Sequence, residues 1–68
     1  MVLKINGEDK EFAGALPATL KELLDALKVD QATVVAEIDG QIIRKDNFSG
    51  TKLTAGQKIE LIKLVGGG

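Results

Sequence analysis

Thr19-Leu20-Lys21-Glu22-Leu23-Leu24-Asp25-Ala26-Leu27 carries the helical pattern of this chain. Leu20, Leu23, Leu24 and Leu27 recur at i, i+3, i+4 and i+7, which sets one apolar stripe along a helix. Lys21, Glu22, Asp25 and Lys28 then face water. Thr19 and Glu22 have the spacing of a capping box, in which the hydroxyl and the carboxylate each satisfy a backbone N–H at the helix start. Val29-Asp30-Gln31 is expected to end the element. One stripe can cover one face of one sheet, so the surrounding sequence should supply that sheet in a two-layer α+β domain.

On the N-terminal side, Met1, Leu3 and Ile5 alternate with Val2, Lys4 and Asn6, which is strand periodicity. Asn6-Gly7 is strong hairpin chemistry, because both residues tolerate the positive φ of a type I′ turn. The return strand, Glu8 to Phe12, is polar and suits a sheet edge, where charge discourages aggregation. Gly14 to Ala18 reads as a loop, with Pro17 restricting the backbone ahead of the helix. After the helix, Val34, Ala36 and Ile38 alternate with Val35, Glu37 and Asp39. Asp39-Gly40 repeats the hairpin signal, and Gln41-Ile42-Ile43 begins the return. Lys45 to Lys52 is polar and irregular around Phe48, which should anchor it to the core. Thr54-Ala55-Gly56-Gln57 is a turn, and Lys58 to Val65 is the last strand.

The order β-β-α-β-β-β, with a helical crossover, implies a parallel pairing somewhere in the sheet and a right-handed connection. Placing the last strand beside the first, in the sheet centre, suits their long apolar patterns. The expectation is a β-grasp, ubiquitin-like fold: a mixed sheet of 4–5 strands with one helix packed on one face. Residues 1–65 are expected to form that domain and residues 66–68 a flexible C-terminal glycine tail.

Composition narrows the function. The chain has 68 residues, 44% of them hydrophobic and 28% charged, which is a soluble globular balance in a domain too small to enclose an active-site cavity. Net charge is −1 and Phe12 and Phe48 are the only aromatics, so neither the basic footprint nor the stacking surface for nucleic acid is present. With no Cys and no His, a thiolate nucleophile, an imidazole base and the usual metal-ligand sets are all absent. Ser49, the one serine, has no identifiable base. Glu8-Asp9, Glu22 and Asp25 fall on surface turns or a solvent-facing helix side and read as solubilising charges. No catalytic residue and no metal site is expected. No stretch reaches the roughly 18 apolar residues of a membrane span, and Met1 to Ile5 reads as a strand, not as a signal peptide, so a cytoplasmic protein without membrane contact is expected.

What remains is Val65-Gly66-Gly67-Gly68, directly after the last apolar run. Glycine loses the most backbone freedom on folding, so three in succession do not stabilise a fold. They do allow close backbone approach in a narrow slot, and they carry an α-carboxylate ionised at neutral pH. A frayed terminus is the alternative. Beside this tail, Ile59 and Leu61 should face the helix, which turns Ile62 and Leu64 to the uncovered sheet face, joined by Val35 from the third strand. Such a cluster reads as a docking patch. Strand-end twist, or Lys45 to Lys52 folding over that face, would account for it without docking.

Taken together, the turn Thr54-Ala55-Gly56-Gln57 leading into Ile59-Glu60-Leu61-Ile62, the hairpin Ala36-Glu37-Ile38-Asp39-Gly40-Gln41-Ile42-Ile43 and the bare Val65-Gly66-Gly67-Gly68 end resemble the ThiS family of sulfur carriers in thiazole (thiamin) biosynthesis, over the whole chain. The resemblance implies a non-enzyme that serves as co-substrate. Gly68 would be adenylated and converted to a thiocarboxylate, with Gly66 and Gly67 recognised in the partner's tunnel. The implied partners are a ThiF-like adenylyltransferase, which uses ATP, a sulfur-donor enzyme and thiazole synthase. The chain itself would hold no cofactor and be a monomer on its own. A MoaD-like carrier for molybdopterin synthesis, a ubiquitin-like modifier and a non-catalytic interaction module are the alternatives.

Overall fold

A computed structural model describes residues 1–64. Residues 65–68, including the glycine tail and the expected end of the last strand, lie outside the described residues. Five strands form one sheet: β1 (Val2–Ile5), β2 (Glu8–Glu11), β3 (Val34–Ile38), β4 (Gln41–Ile43) and β5 (Lys58–Lys63), in the spatial order β2-β1-β5-β3-β4. β1 and β5 are parallel and the other neighbours antiparallel. The last strand thus occupies the sheet centre beside the first, and the charged β2 forms one edge, which is the expected β-grasp arrangement.

Both hairpins follow from their turn residues. Asn6 and Gly7 adopt φ of 52° and 82°, and Asp39 and Gly40 adopt 50° and 86°. Positive φ at both central positions is the type I′ geometry that matches strand twist. Asp39 does more than turn: its Oδ1 accepts the Lys58 N–H at 3.0 Å, tying the β3–β4 turn to the start of β5.

Helix α1 (Leu20–Ala26) lays Leu20, Leu23 and Leu24 fully buried on the sheet. Each contributes roughly 1.5–3 kcal/mol by leaving water. Opposite them are Leu3, Val34, Ala36, Ile38 and Ile59 from β1, β3 and β5. The cap is half of the expected box. Thr19 Oγ1 accepts the Glu22 N–H at 3.3 Å, but the Glu22 carboxylate takes the Thr19 hydroxyl, at 3.4 Å, instead of a backbone N–H. The first turn has another partner, since the Leu20 N–H donates to Thr51 O at 2.9 Å.

The helix also stops earlier than Val29–Gln31. Lys28 adopts φ of 59°, the Val29 N–H donates to Leu24 O at 2.9 Å, and the Lys28 N–H donates to Asp25 O at 3.1 Å. This is a Schellman closure with lysine at the left-handed position that glycine usually fills. The closure turns Val29 back to pack against the core, as Leu27 does.

Lys45–Gly50 is a 3₁₀ helix where irregular backbone was expected, and Phe48 within it is 2% exposed. Phe48 joins the cluster that contains the helix leucines, so this segment lies on the helix side of the sheet. It therefore does not fold over the opposite face, which α1 also leaves bare.

Candidate functional site

β5 brings the tail's root out of the middle of the sheet. On one side Lys4 pairs with Lys58 and Ile5 with Ile59. On the other, β3 pairs along the full length from Ile38–Ile59 to Val34–Lys63. Past the β1 ladder, Asn6 continues the support with its own groups. Its N–H donates to Ile59 O at 2.9 Å, and its Oδ1 accepts the Leu61 N–H at 2.8 Å. Among the described residues, the hydrogen bond nearest the tail is from the Leu64 N–H to Thr33 O, at 2.7 Å. Thr33 belongs to a 3₁₀ turn, Gln31–Thr33, capped by Asp30, whose Oδ1 accepts the Ala32 N–H at 2.9 Å. The root of the tail is thus held on both sides up to Leu61 and on the β3 side alone from there to Leu64.

Alternation along β5 then sorts its side chains. Ile59 is buried and Leu61 packs against the core on the helix side. Lys63 also falls on that side, at the rim of a recess with Leu27, Val29 and Val34. Ile62 and Leu64 go to the uncovered side, 48% and 52% exposed. Val35 is the direct register partner of Ile62 and is half-buried beside it. Val35, Ile62 and Leu64 therefore sit together on an open face, immediately before the tail. Gly66, Gly67 and Gly68 lie outside the described residues.

Ile42 is an exposed residue of this face that the sequence reading passed over. It is 68% exposed, opposite Glu37 on the short strand β4. The signal was available: in Gln41-Ile42-Ile43 two successive isoleucines must point to opposite faces, so only one can reach the core. Ile43 is the one that packs there.

Among the described residues no group of three or more His, Cys, Asp or Glu is placed to hold a metal ion. No helix among them is long and apolar enough to cross a membrane. Among the described residues the buried positions are all apolar. The site is a surface of display: a firmly held central strand, an open apolar face and the tail that follows in sequence.

These features define a small β-grasp domain of ubiquitin-like topology. The ThiS family model matches residues 3–68, and the chain belongs to the ThiS family. It is similar to the crystal structure of the thiamine biosynthesis protein (ThiS) from Geobacter metallireducens, with 36% identity, all of both chains covered and a TM-score of 0.85. The solution structure of a thiamine biosynthesis protein from the same organism is also similar, with 36% identity over all of this chain and 88% of the other, and a TM-score of 0.81. No curated protein matches the chain.

Proposed function

We propose that this chain is a sulfur carrier in thiamine biosynthesis, with the main-chain carboxylate of Gly68 as its reactive group. Family membership, together with a central strand that leads straight into Val65-Gly66-Gly67-Gly68, supports the reading most strongly. A carboxylate is a poor electrophile. A ThiF-like adenylyltransferase overcomes this by joining the Gly68 carboxylate to AMP from ATP, with release of pyrophosphate. The outer sulfur of a donor persulfide then displaces AMP to give an acyl disulfide, and a second thiol attacks the donor's inner sulfur, forming a disulfide with the donor and leaving a thiocarboxylate on Gly68. Thiazole synthase takes that sulfur into the thiazole ring. The chain is a co-substrate of these enzymes and itself needs no bound cofactor, and the work is cytoplasmic, where the partners find ATP.

The body of the domain suits this work. Gly66 and Gly67 let the backbone enter a tunnel in which any Cβ would clash. Ordering them costs roughly 1–2 kcal/mol per residue at each visit, which keeps binding reversible between successive enzymes. Ile62, Leu64 and Val35 form the docking patch for the adenylyltransferase, open because both α1 and Phe48 lie on the other side of the sheet.

Two measurements test the proposal. Gly68→Ala, or deletion of Gly68, leaves the melting temperature unchanged and abolishes sulfur transfer; normal transfer by either variant refutes it. The intact mass of protein isolated with its partner enzymes should show replacement of one carboxylate oxygen by sulfur. A natural polypeptide that continues unprocessed beyond Gly68 would also end the proposal, because no carboxylate would be free there.

A further inference from the structure

Side chains from three places converge on the short turn that receives the end of β5. Gln31–Thr33 contains no buried residue, so the core does not account for the attention it gets. Asp30 caps it locally: its Oδ1 accepts the Ala32 N–H at 2.9 Å, and its main-chain O accepts both the Thr33 N–H and the Thr33 hydroxyl at 3.1 Å. Asp25 of α1 accepts the Gln31 side-chain amide at 3.2 Å. Lys45, at the start of the Lys45–Gly50 3₁₀ helix, donates its ammonium to Ala32 O at 3.2 Å across a separation of 13 residues.

What the turn gives β5 is one group, Thr33 O, which accepts the Leu64 N–H at 2.7 Å. Support from the β1 side ends at Leu61, where Asn6 Oδ1 takes the N–H. Beyond Leu61 the strand is held by β3 and this turn among the described residues. Leu64 also presents an exposed side chain to the open face. One residue thus serves the docking face with its side chain and the origin of the tail with its backbone. Gly68 stands four residues further on in sequence. A chain spans at most about 3.3–3.6 Å per residue, so Gly68 works within roughly 13–14 Å of Leu64. Docking therefore sets the reach of the carboxylate only while Leu64 itself is held.

We propose that the Gln31–Thr33 turn is a collar that sets where the deliverable tail begins, and that Asp30 and Lys45 are positioning residues for activation of Gly68, acting through the Thr33 carbonyl on Leu64. This inference rests on the carrier reading. In adenylation a carboxylate oxygen of Gly68 bonds to the α-phosphorus of ATP while the bond to pyrophosphate breaks. Misplacing a reacting group by about 1 Å costs up to about a hundredfold in rate. A loosened collar leaves the Leu64 backbone to be ordered anew at each visit, while the Leu64 side chain stays available to the partner. The loss then falls on turnover more than on binding.

The test uses the full chain with Asp30→Ala, Lys45→Met and both, and Asp30→Asn as the variant that keeps the cap. Amide exchange at Leu64 and thermal melts are read on the chain alone. Carrier-dependent exchange of labelled pyrophosphate into ATP is read with a purified ThiF-type adenylyltransferase, well below the melting temperature. The double variant should melt within about 4–8 °C of the parent. It should exchange the Leu64 proton faster and lose on the order of tenfold in kcat, with KM changed about twofold or less. Asp30→Asn should match the parent in both readings. A purely structural role leaves kcat unchanged, because nearly all molecules are folded at the assay temperature. Faster Leu64 exchange with parent-like kcat therefore overturns the inference. Unchanged Leu64 exchange in the double variant does so too, as does a loss confined to KM, which would assign the turn to docking. If Asp30→Ala does not fold, Lys45→Met, at an exposed side chain, carries the same test with the same signs. Absence of any exchange with the unsubstituted chain is a separate failure: it removes the carrier reading, and the collar with it.

Discussion

Asn6 holds two jobs that can be separated by substitution. Its backbone is left-handed, with φ of 52°, and its Oδ1 accepts the Leu61 N–H at 2.8 Å. Asn6→Gly keeps the backbone accessible and removes only the acceptor. The lost hydrogen bond amounts to about 1 kcal/mol. Asn6→Ala removes the same acceptor and adds about 1–2 kcal/mol of left-handed strain, for a total of roughly 2–3 kcal/mol. In a domain of this size 1 kcal/mol moves the melting temperature by about 4–8 °C. The glycine variant should therefore melt about 4–8 °C below the parent and the alanine variant about 8–24 °C below it. Thermal circular dichroism gives the ranking, and amide exchange at Leu61 gives the cause, because that proton should exchange faster in both variants to a similar extent. A glycine variant that melts like the parent, with Leu61 protection unchanged, would show that the side-chain bond contributes nothing. Equal melting of the two variants would refute the strain argument.

Lys28→Gly should stabilise the domain by about 0.5–1 kcal/mol, because glycine occupies the left-handed helix end without a Cβ penalty; a lower melting temperature would mean that the lysine stem contributes packing there. Leu64→Glu should cost about 1 kcal/mol of stability or less, since the side chain is already 52% exposed. The same change should weaken binding to the adenylyltransferase by tenfold or more if Leu64 is a central contact. Calorimetry and a melt on one sample distinguish that outcome from a core role, in which the melting temperature itself collapses.

The local parts of this structure were legible because their causes are local. Asn6-Gly7 and Asp39-Gly40 specify their turns through positive φ, and Val34, Ala36 and Ile38 specify a buried face through alternation. The leucine stripe located α1, and Phe48 proved to be an anchor because a lone aromatic in a polar run has nowhere else to go. Features that depend on three-dimensional register were not legible. Asn6 meets Leu61 across a sequence separation of 55, and Glu37 meets Glu60 only once β3 and β5 are aligned. The helix end was misplaced because its left-handed residue is Lys28, and lysine carries no such signal. The cap was half misread because Glu22 had the Thr19 hydroxyl within reach, while Thr51 O took the Leu20 N–H. On the candidate site, Val35, Ile62 and Leu64 were found by alternation and Ile42 was overlooked, while the roles assigned to Gly66, Gly67 and Gly68 fall outside the described residues.

The position of β5 has a consequence for quality control during synthesis. The strand made last is the one that joins the β1–β2 hairpin to the β3–β4 hairpin. A polypeptide truncated before Lys58 is left with two hairpins that share no strand, and its helix has only a divided surface to rest on. Native assembly is thus reserved for molecules that have received β5, and proteases that clear unfolded chains would remove the defective ones before any activating enzyme met them.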